Sequence, residues 1–297
     1  MAQSAMRWPL DPTSGLWDSC LWYVRDAGWP PRARGTDGQA GSGVTMVIDK
    51  GVPPGYFRDL LEVAAPHVQF WKLAFGSTLL YRPEQVAAKV REARSAGVEV
   101  YPGGTLLEMA RELGQPDAVL DELRRLGFAW VEVSDGTFEL SPERRASLIR
   151  LAVERGFSVI SEVGSKDPAR AFVPELAAAQ VEADIACGAR YVVIEARDTG
   201  QGVGVFNEEG RLRLDRWQTF LERLVHPQHV IWEAPRPEQQ RELLMLMGPD
   251  VGLGNVQVPD IFTLAAMRWG LRADTLKVWA QAANGRRARV DGVLRHG

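Results

Sequence analysis

The chain has 297 residues, 45% of them hydrophobic and 25% charged, with a formal net charge of -3 at pH 7. This length suits one large α/β domain, and the mixed charge provides no basic surface to hold a nucleic-acid backbone. No apolar run is long enough to span a membrane, and Cys20 and Cys187 form no metal-binding pattern. We therefore expect a cytoplasmic protein that binds neither nucleic acid nor a membrane.

Residues 1–43 precede any regular pattern. They include four tryptophans and end in the Gly-, Pro- and Arg-rich stretch 31–43. This composition predicts an N-terminal extension and linker. The aromatic residues favour a segment that covers the domain or mediates subunit contact over simple disorder.

From Val44 onward, short apolar strands alternate with helices eight times. Strands buried on both faces and separated by helices are typical of a parallel sheet. Eight such units fit a closed barrel better than an open sheet. We predict the α/β class, with a single (β/α)8 TIM barrel over 44–282 following the N-terminal extension, and a flexible C-terminal tail over 283–297.

Nearly every predicted strand ends in a polar residue, and in a barrel the carboxyl ends of all strands meet at one mouth. These residues are Asp49 and Lys50, Lys72, Gly103 and Gly104, Glu132 and Ser134, Glu162 with Lys166 in the next loop, Glu195 and Arg197, Glu233, and Asn255. Any single charge could be a structural ion pair, but their convergence favours an active site. Because side chains alternate along a strand, we expect Asp49 rather than Lys50 to enter the mouth, and either Glu132 or Ser134 to be scaffold.

Two glycine-containing segments lead to further expectations. TGQGVG (199–204) lacks the following helix of a dinucleotide fingerprint, so no nicotinamide cofactor is expected. A lid or an anion-binding turn is favoured, and a plain turn is the alternative. YPGGT (101–105) places backbone N–H groups near a helix start, which suits an anion. The histidines are poorly placed, so acid–base chemistry is assigned to lysine or carboxylate.

Taken together, the strand-end motifs resemble the phosphosulfolactate synthase family. The matching segments are VIDKGVPP (47–54), WKLAFGST (71–78), YPGGTLLE (101–108), VEVSDGT (131–137), SEVGSKD (161–167), VIEARDTGQG (193–202), EAP (233–235), GNV (254–256) and MRWGLRADT (267–275). The SEVGSKD and EARD forms look like the bacterial branch. One departure is in the strand-two motif, typically K-x-G-x-G-T, where Ala74 and Ser77 replace the first glycine and the threonine.

The resemblance implies a (β/α)8 carbon–sulfur lyase that uses Mg²⁺ to add sulfite to C3 of phosphoenolpyruvate, giving (2R)-2-phospho-3-sulfolactate. In methanogens this product leads to coenzyme M. The expected partners are these small anionic substrates, and a homo-oligomer is compatible with the fold.

This chemistry suggests a role for each group of strand-end residues. The catalytic candidates are Lys166, as proton donor to C2 because neighbouring groups can lower the pKa of a lysine toward neutral pH, with Lys72 and Glu162. The substrate-binding candidates are Lys72, Gly103, Gly104, Ser134, Arg197 and Asn255. The pool of Mg²⁺ ligands is Asp49, Glu162, Glu195 and Glu233.

Two alternatives remain open at this stage. Ala74 and the N-terminal extension motivate another Mg²⁺-dependent enzyme of enolate chemistry, acting on a related phosphorylated acid. The family also contains plant heat-stress-associated proteins, so a non-catalytic barrel is the second alternative. The presence of every strand-end carboxylate argues against it, because burying an unused ring of charges lowers stability.

Overall fold

The computed structural model describes residues 43–167 and 171–278. Its strands are β1 Thr45–Asp49, β2 Phe70–Leu73, β3 Glu99–Pro102, β4 Trp130–Val133, β5 Ser158–Val163, β6 Ala189–Ile194, β7 Val230–Glu233 and β8 Gly252–Gln257. Its α-helices are α1 Pro54–Ala64, α2 Pro83–Ser95, α3 Thr105–Glu112, α4 Pro116–Arg125, α5 Pro142–Glu154, α6 Pro174–Ala186, α7 Leu214–Arg223, α8 Pro237–Met247 and α9 Ile261–Arg268.

The eight strands form one parallel sheet in the order β3-β2-β1-β8-β7-β6-β5-β4, and β3 lies beside β4. The sheet is thus a nearly closed barrel with alternating helices, which confirms the predicted (β/α)8 fold. None of the helices in the described part of the chain has both the length and the apolar composition of a membrane span.

Among the described residues, the barrel lies in 43–265, and residues 266–278 fall in a second unit that contains the end of α9 and a helical segment over 273–278. Except for Gly43, the predicted N-terminal extension lies outside the described residues. The predicted barrel end at residue 282 and the tail over 283–297 also lie outside them.

Local sequence explains where several helices begin. Helices α1, α2, α4, α5, α6 and α8 each start with proline. Proline is well suited to a first helical position because its φ is already helical and its missing N–H needs no partner there. At α5, the Ser141 side chain accepts a hydrogen bond from the backbone N–H of Arg144, as expected for an N-cap.

An apolar layer fills the part of the barrel interior that lies further from the mouth. It consists of Val44, Met46, Phe70, Tyr101, Trp130, Ile160, Tyr191, Val193 and Ile231. The Phe70 ring packs edge-on against Trp130 and Tyr191, with centroids 4.8 and 5.6 Å apart. Because strand side chains alternate, the residue two positions further along each strand also faces the interior, nearer the mouth.

Asp49 supports the fold instead of entering the mouth. The donors to its carboxylate are the backbone N–H groups of Gly51 (2.8 Å) and Val52 (2.6 Å), Trp71 Nε1 (2.8 Å) and Lys89 Nζ (2.6 Å). The neighbouring Ile48 lines the barrel pocket, so Asp49 points to the other face of β1. The expectation that Asp49 enters the mouth is therefore wrong, and its bonded oxygens leave it poorly placed to bind a metal.

The Asp49→Ala variant should lower the free energy of unfolding by about 3–5 kcal/mol, because it leaves the Lys89 ammonium buried without its carboxylate. Urea unfolding measures this loss. The matched control is Asp198→Ala, which removes an exposed partner of Lys50 and should cost less than about 1 kcal/mol. If Asp49 were instead a metal ligand, its replacement would weaken Mg²⁺ binding with little loss of stability.

Candidate active site

A buried ammonium group organises the mouth of the barrel. Lys72 Nζ lies 3.0 Å from Glu132 Oε2, 3.1 Å from Glu162 Oε2 and 3.4 Å from Glu233 Oε1. The contacts with Glu162 and Glu233 are hydrogen bonds, and the contact with Glu132 is an ion pair. Burial lowers the pKa of Lys72, but the three carboxylates outweigh it and raise that pKa well above its usual value. The lysine therefore stays charged inside the protein.

Lys166, in the loop after β5, is the second ammonium of the site. Its Nζ lies 3.0 Å from Glu162 Oε1 and 3.5 Å from Glu195 Oε2. Glu162 raises the pKa of Lys166 and Glu195 adds to this, although partial burial opposes them. The pKa of Lys166 is therefore raised, whereas the sequence led us to expect a lowered one.

The carboxyl groups of the ring differ in their affinity for protons. Burial raises the pKa of Glu132 to about 7. Burial and the nearby carboxylates of Glu162 and Glu233 raise the pKa of Glu195 well above its usual value. Burial also opposes ionisation of Glu162, but Lys166 and Lys72 hold its pKa below its usual range. The pKa values of Glu162 and Glu195 therefore shift in opposite directions, so a proton bound by this pair favours Glu195.

These groups line a cavity of about 210 Å³. Its wall includes the predicted residues Lys72, Gly103, Gly104, Glu162, Lys166, Glu195, Arg197, Glu233 and Asn255. It also includes Ile48, Ala74, Phe75, Thr105, Glu132 and Asp198. The convergence expected from the strand ends is therefore present, and the small volume suits a small ligand.

Ser134 and the two glycines differ from expectation. Ser134 is absent from the cavity wall, and its hydroxyl donates to Glu108. The N–H of Gly103 donates to Leu73 O (2.9 Å) and that of Gly104 to Glu132 Oε1 (2.6 Å), so neither is free for an anion. Glycine is needed at 104 for space, because a Cβ there would lie 2.2 Å from the Ser134 hydroxyl oxygen.

Glu132 is the ring member that the sequence-based assignment left out. Each charged residue of the ring lies two positions after an apolar residue that faces the barrel interior. The pairs are Phe70 and Lys72, Trp130 and Glu132, Ile160 and Glu162, Val193 and Glu195, and Ile231 and Glu233. This shared spacing is the signal that identifies Glu132 as inward-facing.

Backbone strain is concentrated around the same cavity. Within the described residues, the non-glycine positions with positive φ are Phe75 (54°), Arg197 (63°) and Asn255 (53°), and all three line the cavity. Such conformations typically cost about 1–3 kcal/mol each and cluster at functional sites.

The cavity also presents polar groups that lack protein partners. The backbone N–H of Arg197 donates to Glu195, and no described residue bonds to the exposed Arg197 guanidinium. The buried Asn255 Oδ1 likewise has no described partner. A free guanidinium and an unsatisfied amide oxygen on one small cavity are features of a ligand site.

Fold and site together define a (β/α)8 barrel enzyme with buried carboxylates and lysines at its mouth. The family model for (2R)-phospho-3-sulfolactate synthase (ComA) matches residues 36–274. The chain belongs to this family and is an enzyme of the phosphosulfolactate synthase type. Membership of this family argues against the non-catalytic alternative.

Curated relatives support the same assignment. The phosphosulfolactate synthase of Methanothermobacter thermautotrophicus is 43% identical over 79% of this chain and 92% of its own length. That of Methanocaldococcus jannaschii is 36% identical over 78% and 93%. The Bacillus subtilis enzyme is 28% identical over 79% and 92%. These identities favour the archaeal proteins over the bacterial branch suggested by the motifs.

Solved structures of distant sequence support the fold. Dihydrodipicolinate synthase (DHDPS) from Cyanidioschyzon merolae with lysine bound gives a TM-score of 0.51 at 12% identity, covering 82% of this chain and 81% of that one. The 3-hexulose-6-phosphate synthase of Salmonella typhimurium gives 0.50 at 16% identity, covering 80% and 99%. At such identities the likeness concerns the fold alone.

The effect of Glu132→Gln on the free energy of unfolding should be more favourable at pH 8 than at pH 5. A carboxyl group whose pKa is raised by folding contributes stability below its unfolded pKa and loses it as pH rises through the folded pKa. As the pH rises from 4.5 to about 7, the wild type loses on the order of 3 kcal/mol of stability at most, whereas the amide does not ionise and loses none.

The measurement is the difference in unfolding free energy between variant and wild type from pH 5 to 8, in the presence of a chelator. Glu154→Gln, which alters an exposed carboxylate on α5, is the control. A Glu132→Gln difference that does not change with pH would contradict the raised pKa.

Proposed function

We propose that this enzyme adds sulfite to C3 of phosphoenolpyruvate, with Mg²⁺, to give (2R)-2-phospho-3-sulfolactate. The observation that carries the proposal is the cavity itself, where the uncommitted Arg197 guanidinium adjoins a buried ring of carboxylates and lysines. Family membership over the barrel supplies the reaction type.

Two anions have to be brought together, and this requires cations. Arg197 is the best candidate to hold a phosphate or carboxylate group, because its guanidinium forms a two-pronged donor and has no partner among the described residues. Asn255 offers an amide on the same wall. Lys72 donates hydrogen bonds to Glu162 and Glu233 and forms an ion pair with Glu132. Its proposed role is therefore to hold the carboxylate ring, and direct contact with substrate would require one of these partners to move.

The donor chemistry of the ring fits Mg²⁺, which prefers oxygen ligands. Carboxylates outnumber ammonium groups, and the buried Glu195 Oε2 has no hydrogen-bond partner among the described residues. No group of three or more His, Cys, Asp or Glu in the described ranges forms a metal cage by itself. Mg²⁺ is usually held by one or two carboxylates together with substrate oxygens and water. We propose Glu195 as a ligand, with Glu162 and Glu233 beside it.

In the proposed reaction, the sulfur lone pair of sulfite forms a bond to C3, and the C2–C3 π electrons move toward C2 and the carboxylate. Bound Mg²⁺ would supply positive charge that stabilises the resulting enediolate. Lys166, held charged by Glu162 and Glu195, donates its Nζ proton to C2 from one face, which gives one configuration. Arg197 holds the anionic groups in place during this transfer.

One observation favours a second candidate substrate. The buried Ala74 lines the cavity at the position where the family motif has glycine. Its methyl group reduces the space available there, which supports a related Mg²⁺-dependent enolate reaction on another phosphorylated acid. Consumption of phosphoenolpyruvate without sulfite, or activity only after Ala74→Gly, would favour this alternative.

The decisive assay mixes the protein with phosphoenolpyruvate, sulfite and Mg²⁺ and identifies the product by mass. We expect the mass of the sulfite adduct, and its loss in the presence of a chelator. Lys166→Ala should lower kcat by about 10²- to 10⁴-fold, the usual contribution of a general acid, with a KM close to that of the wild type.

Absence of the adduct from folded wild-type protein at saturating substrates would contradict the proposed substrates. If instead the adduct forms and Lys166→Ala retains wild-type turnover, the reaction stands and the assignment of Lys166 as proton donor is wrong.

A further inference from the structure

A buried arginine lies behind the cavity and is not part of its wall. Arg145, on α5, is only 1% exposed. Its Nε donates to both carboxylate oxygens of Asp184 on α6, at 2.9 and 3.0 Å. Its Nη1 donates to Asp135 Oδ1, after β4, at 2.8 Å, and its Nη2 donates to the backbone O of Glu162 on β5, also at 2.8 Å. One guanidinium therefore joins four consecutive elements of the barrel.

Two routes connect this guanidinium to the site. The first is direct, because the bond to the Glu162 carbonyl fixes the end of β5 from which the Glu162 carboxylate contacts Lys72 and Lys166. The second runs through Asp135 to its neighbour Gly136, whose carbonyl accepts the backbone N–H of Lys166 at 3.2 Å. Gly136 also makes room for the lysine, since a Cβ there would lie 3.1 Å from Lys166 Nζ.

Stability alone does not account for this cluster. Buried ion pairs are often no more stable than apolar groups of the same size. The arrangement also requires an arginine, because a lysine ammonium cannot reproduce a planar fork directed at two carboxylates and a carbonyl.

We propose that Arg145 is a positioning residue, which holds Glu162 and Lys166 in the arrangement that proton delivery to the substrate requires. This inference rests on the proposed function, because it takes Lys166 as the proton donor. Arg145 does not touch the cavity described above, so its effect concerns the catalytic step and leaves substrate binding unchanged.

The test compares Arg145→Lys with Arg94→Lys, a matched control. Arg94 also donates to a backbone carbonyl, that of Gly127 at 2.9 Å, but at the amino end of β4. For Arg145→Lys we expect kcat to fall on the order of 10²-fold, as for a misplaced catalytic group, with the KM for phosphoenolpyruvate within about twofold of wild type. Arg94→Lys should change neither.

Chemical rescue provides a second readout. A cavity of about 260 Å³, lined in part by Arg145 and Asp135, gives access to the guanidinium site. Guanidinium ion at millimolar concentration should restore turnover to Arg145→Ala, whereas methylammonium should not. If Arg145→Ala does not fold, Asp135→Asn tests the second route and should lower kcat without raising KM.

A folded Arg145→Lys whose kcat stays within about twofold of wild type would overturn the inference, as would a change in KM alone. If wild-type protein does not form the sulfite adduct, the proposed substrates are wrong. The positioning role of Arg145 is then tested without substrates, by amide hydrogen exchange. Arg145→Lys should then speed exchange of the Lys166 amide on the order of tenfold relative to Arg94→Lys. Unchanged exchange would overturn the positioning role.

Discussion

The site depends on one buried charge, the Lys72 ammonium. A charged group can be buried only if partners replace its water, and here Glu132, Glu162 and Glu233 do so. These glutamates come from β4, β5 and β7, whereas the lysine comes from β2. Only a sheet curved into a barrel brings these strand ends together. Formation of the fold and assembly of the site are therefore the same event.

The rest of the site follows from an excess of acid over base. Two lysines face four glutamates, and burial raises the pKa of Glu132 to about 7 and that of Glu195 well above its usual value. Such a ring is suited to a cation, and the Arg197 guanidinium at its edge is suited to an anion. The strained backbone conformations in the cavity wall lower the stability of the fold, and such conformations cluster at functional sites.

The alternation of strands and helices was sufficient to predict the barrel, and the polar strand ends were sufficient to predict most of the cavity wall. The errors arose where both faces of a strand are buried, because hydrophobicity then does not reveal which face is interior. For this reason Asp49 was expected at the mouth, where the structure instead has Ile48, and Glu132 was not separated from Ser134. The direction of the Lys166 pKa shift depends on Glu162 and Glu195, which only the folded chain brings into contact.

A crystal structure with Mg²⁺ and phosphoenolpyruvate tests the account most directly. We expect the metal to bind Glu195 and at least one of Glu162 and Glu233. An anionic group of the ligand should contact Arg197, and C2 of the ligand should lie within reach of Lys166 Nζ. A ligand bound away from this cavity, or a metal held by other residues while the carboxylate ring remains closed around Lys72, would contradict it.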